Sequence, residues 1–365
     1  MKKEKWYDYW LCSAEGVGNR TISRLIEKFG SAREIYQASE AELLQVVSKT
    51  QFQSLSEKKR RGSAEEEYQR LAEQGIAFYT VEEPDYPGRL KEIPDPPYGL
   101  FVRGRMPREE RAAVAVVGAR DCSEYGRYVA GELGRHLGRS GIQVISGMAR
   151  GIDGISQEAA LDAGGTSFGV LGCGVDVCYP AQNKKLYERL LEQGGILSSY
   201  LPGTLPKSGH FPPRNRIVSG LADVLVVVEA RRKSGTLITV DMALEQGKDV
   251  YVVPGRVTDR LSDGCNNLLK QGAGVFLSPE EFVSEIQKNG MEVQNPDLGL
   301  SGKDQLPKPL LRICEALDFY PLPVGEIAMR MGGDCTVKEI HMGLMQLCLE
   351  EMAVQVSPGY FCRRG

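Results

Sequence analysis

Ile142-Gln143-Val144-Ile145-Ser146-Gly147-Met148-Ala149-Arg150-Gly151-Ile152-Asp153 is the stretch on which the fold is read. A short apolar run predicts a strand, a glycine turn follows, and the chain then enters a helical pattern that continues over 157–163. The same order recurs from residue 112 to about 290. Apolar runs stand at 114–117, 142–145, 168–171, 196–197, 224–228 and 250–253, with amphipathic stretches such as 125–137 and 240–246 between them. Short β-rich runs alternating with helices mean βαβ units and a mainly parallel sheet. The predicted class is α/β, a Rossmann-like doubly wound domain.

Outward from this block, 1–75 reads as helical. Gly16-Val17-Gly18-Asn19 divides two apolar-periodic stretches, and Ser31 and Ser39 are suitable N-caps. The glycine turn fits a helix-hairpin-helix that holds a phosphate on helix-start amides. A helical bundle serving protein contacts fits as well, and the acidic run Glu65-Glu66-Glu67 favours the bundle. Residues 76–108 are Pro-rich, with short strands at 78–81 and 100–102, and join the Rossmann-like domain to span 76–290. Residues 291–309 are polar and aperiodic, as a linker is. In 310–365, helices at 310–317, 325–331 and 337–349 precede a hairpin of 353–356 and 360–362, the order of a winged helix.

The chain has 365 residues, a net charge of −3 and nine cysteines, none in Cys-x-x-Cys spacing. Scattered cysteines, odd in number, argue against a disulfide framework or a zinc site and for a reducing cytoplasm. No apolar run reaches the ~18 residues of a membrane span, and the N-terminus has no apolar leader core. A soluble, cytoplasmic protein is expected. With a slightly acidic whole, binding to nucleic acid must use a local basic patch and depend strongly on salt.

That patch is legible at the strand ends, where open α/β sheets hold ligands. Four loops gather there: Gly118-Ala119-Arg120, Gly147 to Asp153, Gly172-Cys173-Gly174, and Glu229 to Thr236. Glycines admit a close ligand, helix starts with Ser234 and Thr236 favour anions, and Arg120, Arg150, Arg231, Arg232 and Lys233 supply charge. Phe211-Pro212-Pro213-Arg214-Asn215-Arg216 adds a ring beside two guanidinium groups, the pairing that an extended nucleic-acid strand uses. The same six residues also fit a helix start opened by the prolines, with Phe211 in the core. Asp153 reads as a carboxylate stabilising a helix start. Glu229 could accept from a sugar hydroxyl or orient an arginine.

Other chemistries lack their signatures. There is no Gly-x-x-x-x-Gly-Lys-Ser/Thr for a P-loop, and Val177 stands where a dinucleotide fingerprint needs its third glycine. His136, His210 and His341 form no metal motif, and no Gly-x-Ser-x-Gly elbow occurs. No cofactor, metal or catalytic residue is expected.

The ordered motifs resemble those of the DNA-processing protein A (DprA, or Smf) family. They run Gly118-Ala119-Arg120 with Tyr125-Gly126, Ser146 to Asp153, and Val170-Leu171-Gly172-Cys173-Gly174-Val175-Asp176. Tyr179-Pro180-Ala181-Gln182-Asn183, Phe211 to Arg216, Ser234-Gly235-Thr236-Leu237-Ile238-Thr239 and Val253-Pro254-Gly255 follow. The N-terminus resembles the family's sterile-alpha-motif-like domain and the tail its winged helix. The resemblance implies a non-enzymatic protein that binds single-stranded DNA, forms homodimers through the Rossmann-like domain and loads RecA recombinase during natural transformation. It implies that Arg120 and Lys233 contact phosphates, that Phe211 stacks on a base, and that the backbone of Gly147–Gly151 and Ser234–Thr236 donates. Arg150, Asn215 and Gly118 belong to the same surface. Arg214 and Arg216 either join it or buttress it by pairing with carboxylates such as Asp223 or Glu229.

Two departures from the family pattern stand out. Ser156-Gln157 replaces a common Ala-His, and Ser199 a common Glu. The tail from Leu310 onward, with five Lys/Arg against seven Asp/Glu, favours a protein partner over DNA. The alternatives are a nucleotide-processing hydrolase, disfavoured because Lys233-Ser234-Gly235-Thr236 lacks the double glycine of such enzymes, and a duplex-DNA regulator acting through the tail.

Overall fold

The computed structural model describes residues 4–288, 291, 306–332, 335–350 and 352–364. Six helices come first: α1 (Lys5–Ser13), α2 (Asn19–Phe29), α3 (Ala32–Gln37), α4 (Glu40–Leu43), α5 (Lys49–Arg61) and α6 (Ala64–Glu73). Their starts follow local chemistry. Ser31, Ser39 and Ser48 each accept the backbone N–H three residues on, and Glu42 and Gln51 return the bond.

The sheet follows, with β1 (Ile76–Thr80), α7 (Gly88–Lys91), β2 (Gly99–Gly104), β3 (Ala113–Val117), α8 (Glu124–Arg139), β4 (Gln143–Ser146) and α9 (Ile152–Asp162). Then come β5 (Ser167–Val170), α10 (Lys184–Gln193), β6 (Gly195–Ser198), α11 (Phe211–Gly220), β7 (Val224–Val227), α12 (Gly235–Glu245), β8 (Asp249–Val252), α13 (Asp263–Lys270), β9 (Gly274–Val275) and α14 (Pro279–Lys288). The strand order is β1-β2-β6-β5-β4-β3-β7-β8-β9. The pairs from β6 to β9 are parallel, whereas β1–β2 and β2–β6 are antiparallel. The Pro-rich strands thus extend one edge of the Rossmann-like sheet.

Both faces of the sheet are covered, as near-continuous apolar strands require. Ala113, Ala115 and Val117 pack with Ile217 and Val218 of α11 and with Val240 and Ala243 of α12. Val114 and Val116 pack on the other face with Val129 and Leu133 of α8 and Phe282 of α14. The N-terminal helices are not a detached unit. One buried cluster joins Trp10, Leu25 and Leu55 to Phe78, Phe101, Leu190 and Ile196.

The tail contains α15 (Lys308–Ala316), β10 (Leu322–Pro323), α16 (Val324–Arg330), α17 (Val337–Leu349), β11 (Ala353–Ser357) and β12 (Tyr360–Arg363) around its own core of Ile313, Ile327, Leu344 and Phe361. The three strands form an antiparallel sheet ordered β10-β12-β11, the winged-helix arrangement. Phe319 lies against the rings of Tyr125 and Tyr128, with centroids at 5.6 and 4.7 Å, and Arg256 stacks over Tyr320 at 3.3 Å. The expected linker 291–309 lies, apart from Met291 and 306–309, outside the described residues.

Helices α8 and α9 approach each other closely because α8 carries glycines on that side. A Cβ at Gly134 would come within 2.3 Å of the Ser156 carbonyl oxygen, whereas one at Gly131 would meet only the flexible Arg135 guanidinium at 3.3 Å. Gly134→Ala should therefore lower stability by about 1–3 kcal/mol through overpacking. Gly131→Ala should leave it unchanged or raise it by up to about 1 kcal/mol through helix propensity. Urea denaturation of both variants measures the difference.

Candidate nucleic-acid interface

After β3 the chain winds through β4, β5 and β6 to one side, then returns to place β7 on the other side of β3. This reversal leaves a crevice beyond the C-terminal ends of β3 and β7, the usual ligand position in a doubly wound sheet. A cleft of about 430 Å³ occupies it, lined by Gly118, Arg120 and Asp121 after β3, Gly147 and Ala149 after β4, Phe211 and Arg214 of α11, and Arg231 with Ser234–Thr236 before α12. A neighbouring cavity of about 450 Å³ shares Arg120, Gly147, Phe211 and Arg214 and adds Arg150, Gly172 and Tyr179.

Phe211 is the first residue of α11, and Pro212 and Pro213 occupy its first turn. The proline-opened helix start is the form that occurs, yet the ring stays half-buried at the cleft rather than in the core. The Arg120 guanidinium carbon lies 5.5 Å from its centroid. Tyr179, 39% exposed, lies 5.8 Å away at an interplanar angle of 30°. Two rings and a guanidinium therefore line one wall. In the sequence Tyr179 is marked only by its place in Tyr179-Pro180-Ala181-Gln182-Asn183, which assigns its ring no role.

Arg214 differs from Arg120. It is only 5% exposed, and its Nη1 donates to the Gly147 carbonyl at 2.6 Å and to the Val170 carbonyl. Its Nε is buried without a hydrogen-bond partner among the described residues. Burial lowers its pKa, and the Asp153 charge opposes that. Asp153 is itself raised by burial and held down by Arg214 and by backbone N–H groups of Ala149 and Gly147. Arg216 turns away, bonds the Pro94 carbonyl and lies 3.8 Å from Glu245. Neither arginine pairs with Asp223 or Glu229; the carboxylates beside them are Asp153 and Glu245. Asn215 is half-buried in the cleft wall.

The glycine loops also differ from their reading as ligand-approach elements. A Cβ at Gly147 would lie 2.2 Å from Arg214 Nη1, and one at Gly151, whose φ is +74°, 2.3 Å from the Ala119 carbonyl oxygen. The fold's own packing requires them. Gly147 N–H donates to Asp153 at 3.2 Å and Met148 N–H to Gln157 at 3.1 Å, so these donors are already engaged. Met148 sits at φ 54°, a strained value for a non-glycine residue. Gln157 braces it from one side, and Asn183, which donates to the Met148 and Ala149 carbonyls at 2.9 and 3.2 Å, from another. The Gln157 departure is thus a structural brace. Gly235 is different, because a Cβ there would meet nothing within 4 Å. Ser234 caps α12 by accepting Thr236 N–H at 3.2 Å.

Arg120, Arg150 and Arg231 are exposed at the mouth, and Arg150 lies 3.9 Å from Asp121. Arg232 and Lys233 are exposed in the adjoining loop, outside the cavity lining. Glu229 serves neither role first read for it. It is buried, accepts from Ser123 N–H at 2.9 Å and from the Ser123 hydroxyl, and pins the start of α8. Among the described residues no group of three His, Cys, Asp or Glu is placed to hold a metal ion.

With this geometry in place, known proteins can be set beside the chain. Residues 77–287 match the sequence model of the family described as DNA recombination-mediator protein A. The chain belongs to that family. It is 39% identical over 214 residues to the DNA processing protein DprA of Streptococcus pneumoniae, covering 59% of this chain and 76% of that one. The X-ray structure of the pneumococcal protein superposes with a TM-score of 0.68 at 32% identity, over 77% of this chain and 97% of its own. DNA processing protein A of Helicobacter pylori, whose structure is described for its single-stranded DNA binding mode, matches at a TM-score of 0.54 and 31% identity, over 58% and 96%.

Arg214→Met should lower stability by roughly 3 kcal/mol, since it strips two buried carbonyls of a donor and leaves Asp153 without its nearby positive charge. Arg120→Ala, at an exposed position, should change it by less than about 0.5 kcal/mol; chemical denaturation compares the two. A pH effect belongs to Glu229. Burial raises its pKa from 4.5, the Ser123 bonds oppose the rise, and Asp259 adds to it. The folded state therefore holds this proton more tightly than the unfolded one, and the stability this provides is lost as pH rises above about 4.5 through the raised pKa. Glu229→Gln should make the decline of stability above pH 4.5 shallower by this group's share, at most about 1.4 kcal/mol per pH unit, in stability curves of the two proteins recorded upward from pH 4.5.

Proposed function

We propose that this protein binds single-stranded DNA along the arginine-rimmed cleft at the ends of β3, β4 and β7, and acts without catalysis as a mediator that loads RecA recombinase onto DNA. The observation that carries the reading is the wall formed by Arg120, Phe211 and Tyr179, where aromatic faces and an exposed guanidinium stand together. Bases of any identity stack on rings while cations follow the phosphates. Arg120, Arg150, Arg231 and Lys233 take the phosphates, with the backbone approach at Gly235; Gly118 serves packing instead, since a Cβ there would lie 2.6 Å from the Ile152 side chain. Arg214, Arg216, Gly147 and Gly151 keep the wall in shape.

Against a hydrolase stands the lining itself. Among the described residues the main cleft is lined by no histidine, its buried carboxylate Asp153 is engaged, and in the neighbouring cavity burial pushes the Cys173 thiol up to about 11. The reading includes a cytoplasmic location and self-association as a homodimer. No helix among the described residues is long and apolar enough to cross a membrane. Along the chain, 1–75 is a helical part that shares its core with the sheet of 76–290, 291–309 is a linker and 310–365 is the tail. The last is a protein-contact element, because α17 exposes Met342, Met345 and Leu349 rather than a row of basic side chains.

Fluorescence anisotropy with labelled oligo-dT and a matched duplex, across a salt series, tests the reading. Preference for the single strand with a steep salt slope is the expected result, and equal binding or release of base or phosphate from nucleotides overturns it. Arg120→Ala and Lys233→Ala should each reduce the log–log slope by about 0.7. Phe211→Ala should weaken binding by about 1–3 kcal/mol without unfolding the protein.

A further inference from the structure

A second groove, of about 890 Å³, runs between the N-terminal helices and the segment that leads into α11. The two spaces share a wall. Ser208, Phe211 and Pro212 line the first cleft, whereas Lys207, His210 and Pro213 line the second. We propose that the single strand continues from the cleft over residues 207–213 into this groove, so that the N-terminal helices form part of the DNA path. The inference rests on the single-stranded DNA reading above and extends it to a surface outside the Rossmann-like domain.

Three observations support it. His210 and Tyr200 are stacked, with ring centroids 4.2 Å apart at 19°, and His210 Nδ1 is tied to the Gly172 carbonyl at 3.1 Å, so a rigid aromatic platform adjoins Phe211. Lys207 and Arg61 line the groove, and neither has a carboxylate within 4 Å among the described residues, whereas Lys58 is taken up by Glu67 at 3.6 Å. Finally, Gly209 and Gly18 have ordinary negative φ, and a Cβ at either would meet nothing within 4 Å. The fold needs neither glycine for packing or conformation, yet both leave bare backbone beside the path. Glu15, Glu57 and Asp95 also line the groove, so stacking and two unpaired cations, rather than bulk positive charge, hold the strand there.

The test compares labelled oligo-dT of about 6 nucleotides, enough for the first cleft, with one of about 20, within the usual range of site sizes and beyond. In the full chain, the double variant Arg61→Gln/Lys207→Gln should bind the long oligomer about ten-fold more weakly, with a log–log salt slope lower by about 1.4, and the short one unchanged within two-fold. His210→Ala should also weaken only the long oligomer. Phe211→Ala should weaken both. Equal weakening of both lengths by the groove variants would reveal a general field effect, and an unchanged long oligomer would leave the groove empty; either result overturns the inference while the first cleft stands. Failure of the unsubstituted protein to bind either length overturns the single-stranded DNA reading itself, and the extension with it.

Discussion

The buried Arg214 guanidinium is the constraint on which the cleft depends. It joins the C-terminal ends of two strands, β4 through the Gly147 carbonyl and β5 through Val170, to the first turns of α11. A guanidinium in that position is tolerated because it donates to two backbone carbonyls, and because Asp153 offsets part of its charge. Gly147 must lack a side chain to leave room for it. Phe211, three residues before Arg214 on the same helix, is thereby held at the rim.

This arrangement separates charge that builds the site from charge that serves it. Arg214, Arg216 and Asp153 are spent on the protein's own backbone and carboxylates, whereas Arg120, Arg231 and Lys233 remain exposed. A chain with a net charge of −3 can therefore present a positive rim in one place. The braces at Met148, supplied by Gln157 and Asn183, keep the loop between β4 and α9 from relaxing its strained backbone. A side chain in the position of Gln157 is thus chosen by what the loop needs, and Ser156-Gln157 is compatible with an intact site.

Much of the architecture was legible in the chain. The strand runs fall within a residue or so of β3 to β8, because fully buried parallel strands need continuous apolar sequence and glycine turns interrupt it. The antiparallel addition of β1 and β2 to the sheet edge was not legible, since pairing partners are set by non-local contacts. Nor was the common core of α1, α2 and α5 with β1 and β2, because helical periodicity reveals that a face is buried and not what covers it. The capping serines and the tail's helix–hairpin order were local features and were read directly.

At the candidate site the division is sharper. By itself the sequence determined which residue types gather at the strand ends: arginines, glycines, a phenylalanine and helix-start hydroxyls, in an order that marks a family. Only the tertiary structure decided which arginine faces solvent and which is walled in, that Gly147 and Gly151 make room for protein atoms while Gly235 opens to solvent, and that Tyr179 stands beside Phe211. The physical reason is that chemical type is a property of each residue, whereas exposure and partnership depend on atoms brought from tens of residues away.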